Sequence, residues 1–404
     1  MTIIEFFDRE SAVENIAGAL LYKPEKVVFI GNNGKRMKKS TENYKRVFDA
    51  RKIYINFLFK TAGINNLNAI IKILEETVSE NENCIIDLSG GDEFFLVAAG
   101  IVHERYNGRV QLHRFNIRNN TLIDCDSEGC IIRSVPLELS VEENVMIYGG
   151  RVIYNDEKPN TTYKWNFNDE FRADVHAIWS ICKRNASAWN AQANVIAKLC
   201  NGDKEKSALK ISAKTETPKE KLFVSNDIFL SLEKAGIIKE LEISERLSFT
   251  FKNSQIMKCL TKAGQILELI VAVTAIELNE NEIRLYNDIG SGVYIDWDGV
   301  VQSDNRVDVE NEMDVILMKG MIPVFVSCKN AVVDSDEIIK LYVVDVSFDG
   351  NFVTKVFIAS IINEMGYRAE YIRARAADMN IKLIEDIDSM DDSDLRKTIS
   401  KLWV

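Results

Sequence analysis

The chain has 404 residues, 46% apolar and 27% charged, with only 5 prolines, the balance of a globular protein of two or three domains without long disordered linkers. No apolar run approaches the roughly 20 residues that span a bilayer, MTIIEFFDRE lacks the basic opening of a signal peptide, and the seven cysteines form no CxxC, which together predict a reduced, cytoplasmic protein with no membrane partner. The net charge of −11 excludes general coating of nucleic acid but not a local phosphate groove, and having only three histidines (103, 113, 176) excludes a His-rich metal cluster.

Apolar runs and helical periodicity alternate over the first 115 or so residues. TIIEFF reads as a strand, 11–22 as a helix, and KVVFIGN as a strand ending at Gly31 and Asn32. A polar helix over 41–50, a strand at KIYINFLF and a helix through Leu67, Ile70, Ile71 and Leu74 follow. NCIIDLSGGDEFFLVAAGIVHERY reads as strand, glycine turn and helix, and GRVQLHRFNI as a further strand. Repeated βα units predict a parallel sheet covered by helices, with ligands at the carboxyl ends of its strands. Short strands and turns are expected over 116–160, helix over 168–200, and a linker or surface excursion at NGDKEKSALKISAKTETPKEK. Residues 222–252 read as helix, strand, turn, strand, in the manner of a winged-helix tail.

The last segment opens with one helix, KCLTKAGQILELIVAVTAIEL. Strands at EIRLYNDI, GVYIDWDGV, EMDVILMK, MIPVFVSCK and VTKVFIAS, with helices at 334–342 and 368–379, predict an α/β/α unit. If 308–314 is extended, Asp308, Glu310, Glu312 and Asp314 share one face, because strand side chains alternate. Such a row repels itself unless some members are exposed or hold a cation, and Mg²⁺ or Mn²⁺ take oxygen ligands of this kind. Glu268 on the preceding helix is placed to bring a further carboxylate. Lys329 ends the next strand, with Ser327 on its own face, where a lysine can orient water and offset phosphate charge.

Leu267-Glu268, Asn311-Glu312-Met313-Asp314 and Cys328-Lys329 resemble the motifs of the PD-(D/E)xK nuclease domain in CRISPR accessory effectors that carry an N-terminal CARF (CRISPR-associated Rossmann fold) sensor. The resemblance covers most of 256–385 and departs from the family at Ser327, where a glutamate is usual. It implies three regions: a CARF Rossmann-like α/β sensor over 1–150, a helical and winged-helix-like segment over 151–255, and a restriction-endonuclease-like α/β/α domain over 256–404. It further implies catalytic roles for Asp314, Lys329, Glu312 and Ser327, a Mn²⁺ or Mg²⁺ held by Asp314, Glu268 and Cys328, and phosphate contacts from Arg368, Arg373 and Arg375.

In the sensor, Ser89, Gly90, Gly91 and Asp92 stand between a strand and a helix, where glycines admit a phosphate to the backbone and the helix start favours anions. The stretch resembles the glycine turn of CARF domains, although Asp92 and Glu93 replace its threonine and lysine. Arg9 is a candidate phosphate contact, Ser11 a helix cap, and Gly31 and Asn32 close the adjacent strand. A basic cluster, Lys35, Arg36, Lys38, Lys39, Lys45 and Arg46, lies on the same edge. The implied ligand is a cyclic oligoadenylate, most often the tetra-adenylate, shared across a homodimer axis. The implied activity is ligand-triggered cleavage of single-stranded RNA or DNA, or nicking of duplex DNA. Two other readings stand beside it: a ligand-responsive regulator with a dead nuclease fold, and cleavage of the ring nucleotide by the sensor itself.

Overall fold

The computed structural model describes all residues except 107–108, 126–130, 203–208, 217–221, 281–282, 300–309, 334–335, 342–347, 349–351, 362–365 and 404. Asp308 and Cys130 lie outside the described residues.

The N-terminal runs form β1 (Thr2–Phe6), β2 (Lys26–Gly31), β3 (Asn56–Thr61), β4 (Cys84–Asp87), β5 (Val110–Asn116), β6 (Thr121–Asp124) and β7 (Ile131–Ser134), in the order β3-β2-β1-β4-β5-β6-β7. The first five strands in that order are parallel, and β6 and β7 run antiparallel at the edge. Both faces of β1, β2 and β4 are buried, so these strands read as continuous apolar runs. Helices α1 (Glu14–Tyr22), α2 (Gly34–Ala50), α3 (Leu67–Ser79) and α4 (Glu93–Arg105) cover the sheet. α3 buries Ile70, Ile71, Leu74 and Val78, a stripe of helical spacing, and the Asn66 side chain accepts the Ala69 amide at 3.0 Å to cap it. α2 begins seven residues earlier than expected. Asn33 caps it by accepting the Arg36 amide, and Met37 and Thr41 continue the buried stripe through the basic cluster. All six basic residues of the cluster therefore lie on this helix.

Three further differences from expectation follow, one of them made by a partner distant in sequence. Helix α5 (Val141–Ile147) appears within 116–160, started by a reciprocal capping box between Ser140 and Glu143. Part of the expected linker is β9 (Lys210–Lys214), which pairs with β11 (Arg246–Phe251), itself paired with β10 (Ile238–Ile243). The 168–200 stretch is two helices, α6 (Asp169–Cys182) and α7 (Ala186–Gly202), and α8 (Asn226–Lys234) lies between β9 and β10 of the three-stranded sheet.

The C-terminal unit is a six-stranded sheet. Its strands are β8 (Arg151–Ile153), β14 (Asp288–Asp296), β15 (Glu310–Lys319), β16 (Ile322–Val332), β17 (Thr354–Ile361) and β18 (Lys382–Ile384), ordered β18-β17-β16-β15-β14-β8. A small ladder, β12 (Asn279–Glu280) and β13 (Ile283–Arg284), precedes it. The helix expected over 258–278 is broken into α9 (Ser254–Leu260) and α10 (Gln265–Glu277), with Thr261 to Gly264 between them. α10 is buried along almost its whole length against β14, β15 and β16. Helical residues 336–341 form α11, followed by α12 (Tyr367–Asp378) and α13 (Asp392–Ile399).

Candidate active site and ligand cavity

The expected catalytic side chains meet where β15 and β16 lie beside the start of α10. Asp314 on β15 accepts the Cys328 amide at 2.7 Å and the Ser327 hydroxyl at 3.1 Å from β16. Burial raises its pKa above the ordinary carboxylate value, against the pull of the Cys328 amide and Lys262. Glu268 is 2% exposed. It sits between Gly264 and Gly292, where added Cβ atoms would lie 3.9 and 3.7 Å from its carboxylate oxygens. Burial pushes it up to about 8, with Lys262 opposing and Asp314 and Glu312 adding to the rise. Glu312 completes the group of carboxylates.

The charge at the centre of this group is Lys262, in the break between α9 and α10. Its ammonium lies 2.5 Å from Glu312 and 3.3 Å from Glu268, and Asp314 is within electrostatic reach. Burial works against this ammonium, but Glu268 and Glu312 outweigh it and hold its pKa above that of an ordinary lysine. The row of acids expected on β15 is thus resolved with cations: Glu310 pairs with Lys158, Glu312 with Lys262, and Asp314 with backbone and hydroxyl donors.

Lys329 turns to Glu337 of α11, 3.0 Å away. Ser327, Asp314, Glu312 and Glu337 line an open cavity of about 400 Å³. Cys328 points the other way, into the apolar core. Burial, with Asp314 and Glu268 nearby, pushes its thiol pKa well up, and its contribution to the site is the amide that Asp314 accepts.

The oxygens of Glu268, Glu312 and Asp314 are the hard donors that Mg²⁺ or Mn²⁺ takes. Among the described residues, no group of three or more His, Cys, Asp or Glu is drawn close enough to hold a metal ion as it stands. The donor chemistry fits a divalent ion, and the cation these donors hold here is an ammonium.

In the sensor, the strand order reverses around β1 and β4, so their carboxyl ends flank the switch point of the sheet. A cavity of about 310 Å³ opens there, and Arg9, Gly31, Asn32, Gly91 and Asp92 are among its lining residues. Gly91 has φ +95°, and a Cβ there would lie 2.6 Å from Cβ of Phe6, so the turn requires glycine. Of the other expected contacts, Ser89 turns inward. Its hydroxyl donates to Asp87 at 2.5 Å and accepts the Phe115 amide at 2.7 Å. A Cβ on Gly90 would meet the Phe6 carbonyl at 2.9 Å. Ser11 is buried and accepts the Glu14 amide at the start of α1. A second cavity of about 570 Å³ shares Arg9 and is lined by Lys35, Arg36 and Lys39. Arg46 is structural, donating to the carbonyls of Gly149 and Gly150.

Of the three expected nucleic-acid arginines, all on α12, Arg373 forms a two-pronged pair with Glu385 at 2.7 Å and Arg368 lies on an exposed turn beside Tyr367, which is 91% exposed. Arg375 is half-buried, with its Nε enclosed. Lys262 was hidden from sequence reasoning because the 258–278 run reads as one helix. The signal present was the Thr-Lys-Ala-Gly tetrapeptide, whose glycine starts α10. No helix among the described residues is long and apolar enough to cross a membrane.

The chain covers its full length and 97% of protein VC1899 from Vibrio cholerae, with a TM-score of 0.74 at 17% identity. It covers its full length and 99% of Can2 from Sulfobacillus thermosulfidooxidans, solved in complex with cyclic tetra-adenylate, with a TM-score of 0.65 at 14% identity. The chain shares their fold from end to end. A type III CRISPR defence DNA nuclease activated by cyclic oligoadenylate gives only 0.48 at 13% identity over 45% of that chain, below the level that establishes a common fold. No family model and no curated protein matches the sequence. The fold implied by the sequence motifs, a Rossmann-like α/β domain, a helical and winged-helix-like middle segment and a restriction-endonuclease-like α/β/α domain, is the fold of this chain.

Proposed function

We propose that this chain is a CRISPR defence nuclease switched on by a cyclic oligoadenylate, with the tetra-adenylate as the ring it takes. The observation that carries the reading is the end-to-end likeness to Can2, whose structure holds cyclic tetra-adenylate, in a chain with a cavity at its own switch point. Three regions divide the work: a sensor over 1–150, a connecting segment over 151–255 and a nuclease unit over 256–404. The ring binds at the carboxyl ends of β1 and β4, against Arg9, Gly31, Asn32, Gly91 and Asp92, with Ser11, Ser89 and Gly90 shaping the turns behind them. Asp92 is an awkward neighbour for a phosphate, so contacts to backbone, sugar and base carry more of the binding there. The basic residues of α2 draw the anion in. Two copies of the chain share one ring across a two-fold axis.

Cleavage takes place on β15 and β16. A Mg²⁺ or Mn²⁺ held by Glu268, Glu312 and Asp314 would lower the pKa of a water and offset charge on the scissile phosphate. Cys328 supports Asp314 through its amide, and Ser327 holds the same carboxylate in place. Lys329, released from Glu337, faces the phosphate. Tyr367 and Arg368 on α12, with Arg373 and Arg375, carry single-stranded RNA or DNA, or duplex DNA that is nicked, with little reading of sequence.

The test is incubation with Mn²⁺ and labelled RNA, single-stranded DNA or plasmid, with and without cyclic tetra-adenylate. Ligand-dependent cleavage is expected. The opposing reading, a ligand-responsive regulator without nuclease activity, draws on Ser327 in the glutamate position and on Lys262 among the carboxylates. Ligand-dependent binding of nucleic acid with no cleavage in any metal would establish that reading and overturn the first.

A further inference from the structure

We infer that Lys262 is a resident cation of the acidic site, and that its ammonium and a divalent metal compete for the same carboxylates. Three observations carry this. The Lys262 ammonium bridges Glu312 at 2.5 Å and Glu268 at 3.3 Å, with Asp314 adding to the field, so one monovalent charge occupies the space between donors a metal would need and offsets part of their charge. The lysine stands in the break between α9 and α10, where the backbone can turn without disturbing a helix, and its side chain keeps 45% exposure. Lys262 lines a cavity of about 170 Å³ together with Tyr163, Trp165, Tyr294, Glu312 and Lys258. The ammonium has room to shift there while staying near Glu312, with the charge of Lys258 limiting how far it moves.

The competition follows from charge and space. A divalent ion among these oxygens cannot share the position with an ammonium a hydrogen-bond length away, since like charges at such range repel strongly. Metal therefore enters only as Lys262 leaves, and the carboxylates then close on the ion. When the metal is removed, the lysine returns to its places beside Glu312 and Glu268, and the Gln265 amide, which donates to Glu268 at 2.8 Å, holds that carboxyl in position. The space between the carboxylates stays filled without metal.

The inference rests on reading Glu268, Glu312 and Asp314 as a cation site, and not on which polymer is cut. Its test uses the full chain and Mn²⁺ alone, titrated by calorimetry and by loss of the free-ion electron paramagnetic signal. Lys262→Met is expected to bind Mn²⁺ at least tenfold more tightly than wild type, and Lys262→Arg to bind as weakly as wild type. Equal affinity in wild type and Lys262→Met, or tight binding by Lys262→Arg, overturns it. Amine footprinting by acetylation and mass spectrometry provides a second measurement on the unaltered protein. Lys262 is expected to label slowly without metal and several-fold faster at saturating Mn²⁺, and an unchanged rate overturns the inference even if the variants fail to fold. Tighter Mn²⁺ binding by Lys262→Met with no cleavage of any substrate would sink the nuclease reading and leave this one standing.

Discussion

The sensor core contains a carboxyl pair whose cost depends on pH, and replacing one member tests that cost. Glu5 on β1 and Asp87 on β4 are adjacent in the parallel register and both fully buried. Oε1 of Glu5 and Oδ2 of Asp87 lie against Gly18 of α1, where a Cβ would be 2.7 and 3.1 Å from them. Among the described residues no donor reaches either atom. Two ionised carboxylates cannot share such a site, so a proton stays between them. Burial pushes Asp87 up to about 7 from the usual 3.8, and burial followed by repulsion from Asp87 pushes Glu5 well above its ordinary range.

The sign follows from proton counting. Below about pH 3 the pair is protonated in folded and unfolded chains alike, so it contributes no penalty. Between about 4 and 7 only the folded state keeps the proton, and stability falls as pH rises. A carboxyl displaced from 3.8 to about 7 corresponds to about 4 kcal/mol when fully ionised, an upper bound because Glu5 shares the proton. Asp87→Asn keeps an oxygen to accept the Ser89 donors and presents an amide to Glu5. We expect its advantage over wild type to be larger at pH 8.5 than at pH 5 by about 1–3 kcal/mol. All five tryptophans (165, 179, 189, 297, 403) lie beyond the sensor, so their fluorescence misses this event. Hydrogen exchange of peptides covering β1 and β4, corrected for intrinsic rates, reads it directly. Protection of wild type that does not vary from pH 5 to 8.5, or equal loss in Asp87→Asn at both pH values, would refute the reasoning.

Gly91→Ala places a Cβ at φ +95° against Phe6 and should cost roughly 2 kcal/mol of local stability, with cyclic tetra-adenylate affinity falling at least tenfold by calorimetry. Lys329→Ala removes a half-buried pair with Glu337 worth about 1 kcal/mol, so melting should change little while cleavage drops on the order of 100-fold in single-turnover assays. Arg373→Ala should leave the fold within about 1 kcal/mol and reduce the salt dependence of nucleic-acid binding by about one released ion, measured by anisotropy at several salt concentrations. Gly320→Val should leave ring binding intact and blunt the cleavage response to it, because its Cβ would press on Asn120 of the sensor at 2.9 Å.

What was legible in the sequence was what depends on near neighbours. The βα order of the sensor and the hairpin carrying Asp314 and Lys329 were written in apolar runs and turn residues, and both are present. The residues that escaped depend on distant partners. β9 is a strand only because β11 lies beside it, and nothing in KISAK announces that partner. Ser89 belongs to a turn that suits a phosphate, but the buried Asp87 carboxylate claims its hydroxyl. Lys262 lies in what reads as an unbroken helix. Its importance comes from Glu312, fifty residues away, which only the β15 register brings to it. Periodicity reports which face a residue occupies, and does not report which charge it meets.

The same distinction bears on how the N-terminal α/β domain meets the C-terminal sheet. β8 follows the N-terminal domain in sequence yet pairs with β14 in the C-terminal sheet. One apolar core runs from Ile3 of β1 to Ile381 beside β18, so no flexible linker intervenes to absorb a displacement. The contact is sharpest at the turn joining β15 to β16. Leu139 donates its amide to the Gly320 carbonyl at 3.0 Å, and Asn120 donates to the Leu137 carbonyl beside it. Below that turn run the two strands that carry Asp314, Ser327 and Lys329. A displacement of β6 and its neighbours would therefore act first on the turn of this hairpin. The hairpin also packs β15 and β16 against α10, which carries Glu268. The two α/β units are thus joined through contiguous packing, the path by which a ligand on one could bias the occupancy of a site on the other.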